Sequence, residues 1–279
     1  MSMSGREVLE HLRGMDRELH LASLYLPENY RDDIATIWAF DAEIRRIPSL
    51  VSEAIPGEIR IQWWRDLLKS GNNAGAGPLA GALMDVIEKH ALPRETLDDY
   101  LEARIFDLYN DPMPDMGSFE GYLGETVSVM FRLAAQCAGA QISSELADAC
   151  GHAGMARGAV TLLANVSRHR SRQQIYFPLE TITSHGLDQE GWLSASPTTM
   201  HDAVMAEMVS LAQFHMTTAA HAVRRLPPEF HSVFLPLSFS AKLLDRIRRN
   251  PGACLIEPAI LSPLSLQWIA FRAALRGGI

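Results

Sequence analysis

Apolar residues in this chain recur every three to four positions from Ser4 to Leu275, and no segment alternates convincingly with a period of two. That pattern offers stripes for helix-on-helix packing and no faces for a sheet. It predicts helices over 4–25, 28–48, 56–68, 78–91 and 93–110. Two long central helices follow over 118–139 and 143–168, then three more over 199–226, 228–249 and 263–275. The central pair carries Gly124, Ala134, Ala135, Gly154, Gly158 and Ala164, small residues that let helix axes approach closely. Loops are expected at 71–77 and 186–198, where Gly, Ser and Thr cluster. No linker or internal repeat divides the chain, so one all-α domain over 1–279 is expected.

Charge and cysteine usage narrow the function classes. A net charge of -8 excludes a basic face for nucleic-acid phosphates. Cys137, Cys150 and Cys254 are odd in number and lack metal-ligand spacing, which predicts buried thiols in a reducing compartment. The first ten residues have charge but no apolar core of a secretory signal, and no apolar run approaches the roughly 20 residues of a membrane span. A soluble, cytoplasmic-type protein is expected, with no transit-like leader and hence a bacterial origin. The 263–275 segment sets Leu264, Trp268, Phe271 and Leu275 on one side near Arg272 and Arg276. It fits a core-facing helix or one lying peripherally on a membrane.

Several segments carry a resemblance. Leu26-Pro27-Glu28-Asn29-Tyr30-Arg31 leads into Ile37-Trp38-Ala39-Phe40, and Arg60 precedes Trp63-Trp64-Arg65. Phe119-Glu120-Gly121-Tyr122 opens a long helix. Asn165-Val166-Ser167-Arg168 is followed by Ile175-Tyr176-Phe177-Pro178-Leu179-Glu180 and Ser184-His185-Gly186. In this order and spacing they resemble the squalene/phytoene synthase family across essentially the whole chain. The resemblance implies a helical barrel of the isoprenoid (terpenoid) synthase type that buries a prenyl tail. In that family two Asp-x-x-x-Asp motifs hold Mg²⁺, a hard cation that wants oxygen ligands and steadies the departing diphosphate.

Both motifs are altered here. The first falls on Arg45 and Ser49, with Arg46 alongside, and the second begins at His169 in a segment too short for its second Asp. At about 4 Å and an effective dielectric near 20, each unit-charge pair is worth roughly 4 kcal/mol, so a cation at position 45 repels Mg²⁺. Leu162 and Ala42 stand where the family has Gln and Arg. Tyr122, Asn165, Arg168 and Tyr176 keep the family's residue types and are expected to pack and cap. With Arg45 they are also the candidate contacts for an anionic ligand. No catalytic residue, metal ligand or cofactor is assigned.

Other acids stand near enough in sequence to be compared with the lost ligands. Asp107 and Asp111 have Asp-x-x-x-Asp spacing, but Pro112 follows, and a solvated helix terminus is the expected reading. Asp32 and Asp33 suit a first turn, where the helix dipole favours negative charge. Asp41 and Glu43 are out of register with the lost motif, and His11, His20, His152, His215 and His221 show no ligand spacing.

A subgroup of the family departs in the same way and includes a mitochondrial assembly factor for respiratory complex I. This chain resembles it at Ala39-Phe40, Glu43, Val51-Ser52-Glu53, Gly124-Glu125-Thr126 and Phe177-Pro178-Leu179. The expectation is a non-catalytic binding or assembly protein, with a prenyl or other lipid in its cavity, or a respiratory-complex subunit, as partner. Two alternatives stay open. One is a head-to-head prenyltransferase whose Mg²⁺ site is rebuilt from Asp41, Glu43 or Asp107. The other is a scaffold whose interior is filled by its own side chains, Trp38, Met130 and Phe131 among them.

Overall fold

The computed structural model describes residues 2–72, 75–194 and 196–275. Arg276 and both ends of the expected 1–279 domain lie outside the described residues, as does part of each expected loop. Helices run in the order α1 (Gly5–Met15), α2 (Arg17–Ser23), α3 (Glu28–Leu50), α4 (Ala54–Ser70), α5 (Pro78–His90) and α6 (Arg94–Ala103). Next come α7 (Met116–Leu123), α8 (Val129–Cys137), α9 (Ser144–Ala164), α10 (Val166–Ser171), α11 (Leu179–Ser184) and α12 (Gln189–Leu193). The chain closes with α13 (Thr199–Arg225), α14 (Pro236–Arg249) and α15 (Pro263–Leu275), and no strand occurs among the described residues.

The centre is the extensively packed pair α9 and α13, which run antiparallel, with His152 beside His215 and Asp148 beside Arg225. α8 and the turn before it lie on α9, and α3 bridges α8 to α1 and α5. The packing is as close as the small residues forecast. A Cβ on Gly154 would sit 2.4 Å from the Ser128 backbone, and one on Gly158 would sit 2.5 Å from the Leu123 side chain. Ser143 starts α9 by accepting the Leu146 N–H at 3.2 Å, which satisfies one orphan donor of the first turn.

The structure breaks the expected helices at several points, and at Asp16 and Asn165 a side-chain contact to the backbone marks the break. The expected 4–25 helix divides at Asp16, whose extended backbone lets its side chain cap α2 through the Leu19 N–H at 3.0 Å. The expected 93–110 helix stops at Ala103 and tightens into a 3₁₀ turn, Arg104–Leu108. A π turn, Gly124–Ser128, separates α7 from α8. Asn165 ends α9, its amide donating back to the Thr161 carbonyl at 2.8 Å. Similarly the expected 228–249 helix begins as a 3₁₀ turn, Pro228–Phe234, and the expected 186–198 loop contains α12. Pro48 does not end α3, which continues to Leu50.

Candidate functional site

α3 places Trp38, Asp41 and Arg45 on one face, at spacings of three and four. They line a cleft of about 90 Å³ together with Arg104, Tyr122, Thr126, Met130 and Phe131. Pockets that take drug-sized ligands run from about 300 to 1,000 Å³. The interior is narrowed by the side chains foreseen for that purpose. Trp38, Met130 and Phe131 are all buried, and the Phe131 ring stacks on Phe234 at 5.5 Å.

Polar groups around the cleft form a continuous ion-pair lattice. Arg45 donates to Asp16 through Nη2 and to Asp41 through Nε, both at 2.8 Å. Asp41 also accepts from the Tyr100 hydroxyl at 2.9 Å and from Arg104 Nη2 at 3.4 Å. Arg104 then donates through Nη1 to Asp107 at 3.1 Å and to the Tyr122 hydroxyl at 3.2 Å. Its Nη2 also meets the Thr126 carbonyl at 3.3 Å, inside the π turn. Arg157, which also lines the cleft, holds Glu18 at 3.3 Å.

Asp107 corrects the expectation of a solvated terminus. Only 6% of it is exposed, and it accepts hydrogen bonds from Tyr122 at 2.6 Å and Tyr176 at 2.9 Å. Its partner in spacing, Asp111, is exposed. Burial and the neighbouring Asp107 push both tyrosine hydroxyls well above their ordinary range, so they act as hydrogen-bond donors. Burial also opposes charge on Asp16, but Arg45, Arg157 and the Leu19 N–H outweigh it and hold that carboxyl below its usual range. Burial opposes charge on Arg45 too, and Asp41 and Asp16 outweigh it, so its pKa is raised.

The remaining expected positions separate. Tyr122 and Tyr176 converge on Asp107, with ring centroids 5.9 Å apart. His169 joins them, its ring 4.6 Å from that of Tyr176, and burial lowers its pKa to about 4 despite Asp107 nearby. Asn165 and Arg168 instead bond each other at 3.1 Å, with Arg168 exposed. Ser49 is exposed at the end of α3, its hydroxyl donating to the Arg46 carbonyl at 2.7 Å. Arg45 is therefore neutralised from within, while Arg46 is exposed. The family-like Arg65 ties α4 to α6 through Asp98 at 2.7 Å.

Sequence reading missed Arg104, Asp16 and Arg157 as site residues. Two local signals were present: Asp41 and Arg45 stand four apart, and Arg104 and Asp107 three apart, both ion-pair spacings on a helix. Asp16 and Arg157 carried none, because their partners come from distant segments.

Residues 12–268 match the pattern of the squalene/phytoene synthase family. The chain belongs to that family. Among its relatives, the bovine (Bos taurus) protein named NADH dehydrogenase (ubiquinone) complex I, assembly factor 6 is 30% identical over 279 residues, covering 97% of this chain and 83% of the relative. The mouse (Mus musculus) protein of that name is 28% identical over 273 residues, covering 95% and 81%. The fold matches squalene synthase HpnC from Alicyclobacillus acidocaldarius with a TM-score of 0.75 at 17% identity, over 91% of this chain and 95% of that one. It matches YisP from Bacillus subtilis subsp. subtilis strain 168 with a TM-score of 0.73 at 12% identity, over 96% and 94%. The expected all-α isoprenoid-synthase fold is thus observed.

The Mg²⁺ that a squalene/phytoene synthase implies does not fit this donor set. Among the described residues no three His, Cys, Asp or Glu side chains gather as metal ligands. Asp16, Asp41 and Asp107 each lie against a guanidinium, which competes for the same lone pairs. No described helix is long and apolar enough to cross a membrane.

Proposed function

We propose that this protein is a non-catalytic binding or assembly protein on a squalene/phytoene synthase frame, serving a respiratory complex as its named relatives do. The observation that carries this reading is the Arg45–Asp41–Arg104–Asp107 lattice. It sets internal ion pairs where the family's chemistry needs free carboxylates and a cation. The cleft, at about 90 Å³, is small beside ligand pockets of about 300 to 1,000 Å³, which favours a partner protein over a prenyl ligand. Two relatives over most of their length carry the complex I assembly name, which supports the choice of partner.

The test is affinity capture of the tagged full-length protein, after cross-linking in its native cells, with identification of bound subunits by mass spectrometry. Recovery of NADH dehydrogenase subunits above an unrelated tagged control is expected. Recovery at the control level would refute the assembly role.

A further inference from the structure

The final helix has two apolar faces, and the protein covers only one. Leu266, Ala270 and Ala273 are buried against the rest of the molecule, where α15 packs on α14 and α2. On the opposite face Leu264 is 78% exposed, Trp268 60%, Phe271 45% and Leu275 71%. Their spacing of four, three and four makes one continuous stripe along the helix, with the Trp268 and Phe271 rings 5.9 Å apart. Ile256 and Ile260, in the segment leading into α15, are also exposed.

The charge of the last two helices and the segment between them, with Arg272 on α15 itself and Arg246 bonded to the Ile260 carbonyl just before it, points to what the stripe meets. Between residues 236 and 275 lie Lys242, Arg246, Arg248, Arg249 and Arg272 against only Asp245 and Glu257, a net +3 in a chain whose net charge is -8. All five cations are exposed. Arg272 stands three from Ile269 and Leu275 and four from Trp268, so it flanks the stripe. An apolar stripe with a tryptophan, bordered by cations on an otherwise acidic molecule, is complementary to an anionic lipid surface. A second copy of this acidic chain gains no such complementarity. From these features we infer that α15 docks the protein flat on an anionic membrane. The outward stripe enters the headgroup boundary, and the α14 and α15 cations meet lipid phosphates. The inference rests on this surface alone and is independent of the assembly role.

Co-sedimentation of the full-length protein with vesicles tests it. Vesicles of phosphatidylglycerol mixed with phosphatidylcholine are compared with phosphatidylcholine alone, at low and high salt. Binding to the anionic vesicles that weakens with salt is expected. Trp268→Ser with Phe271→Ser should cut partitioning about tenfold or more, and Arg272→Ala about fivefold. All three side chains are exposed, so unchanged circular dichroism would show that the variants stay folded. Failure to bind the anionic vesicles would overturn the inference, as would equal binding to both compositions or binding unchanged in the variants. So would a dimer in sedimentation that the Trp268→Ser variant abolishes, since a second copy would then cover the stripe.

Discussion

Arg104 reaches Asp107 at 3.1 Å across one turn of a 3₁₀ helix, and both side chains are almost fully buried. Such a pair is held less by its own attraction than by the cost of leaving either charge alone. Arg104 also holds Asp41, so the same guanidinium joins the 3₁₀ turn to α3.

Arg104→Met is therefore expected to destabilise the protein by about 3–5 kcal/mol, because Asp41 and Asp107 lose their shared cation. Arg104→Met combined with Asp107→Asn should cost less than the sum of the two changes. Urea denaturation of the four proteins in that cycle measures the coupling.

Those residues mark where sequence reading stopped. The helical class was legible because apolar residues such as Ile34, Ile37 and Trp38 recur with the helical period and are buried. The break at Asp16 was not, since no Pro or Gly causes it; Asp16 turns to cap α2 and to receive Arg45, 29 positions away. Asp107 was misread for a related reason. Asp111 and Pro112 announce a terminus, whereas Tyr122 and Tyr176 enclose Asp107 from later segments. At the lost metal positions, the side chains at 45 and 169 were legible, but the acids that neutralise Arg45 were not.

The two close-packed glycines should respond unequally to alanine. At Gly154 the added methyl meets the Ser128 backbone, which cannot step aside, and a loss of about 1–3 kcal/mol or more is expected. At Gly158 it meets the end of the flexible Leu123 side chain, so the loss should be smaller. Thermal unfolding of Gly154→Ala and Gly158→Ala gives the comparison.

His169 should make stability depend on pH. Its folded pKa of about 4 lies below the ordinary 6.5, so the unfolded chain binds the extra proton more readily. The contribution is fully present above pH 6.5 and is lost as pH falls toward 4. His169→Asn is expected to flatten the stability profile in that window. The measurement is the difference between variant and native denaturation midpoints across those pH values, of order 1–3 kcal/mol in total.

The thiols should be inert in the native state. Burial pushes both Cys137 and Cys150 up to about 12, and Cys254 is raised as well. Since the thiolate is the nucleophile, iodoacetamide near neutral pH should label none of the three until denaturant is added. Mass spectrometry before and after denaturation reads the result.

The central claim is that internal ion pairs have taken the place of metal-dependent prenyl chemistry. The most direct measurement is diphosphate release from farnesyl diphosphate by the purified protein, with and without Mg²⁺. The account predicts release no faster than in protein-free controls at any Mg²⁺ concentration. Mg²⁺-dependent turnover that disappears in Asp41→Asn or Asp107→Asn would contradict it, and would place those acids on a metal rather than on Arg45 and Arg104.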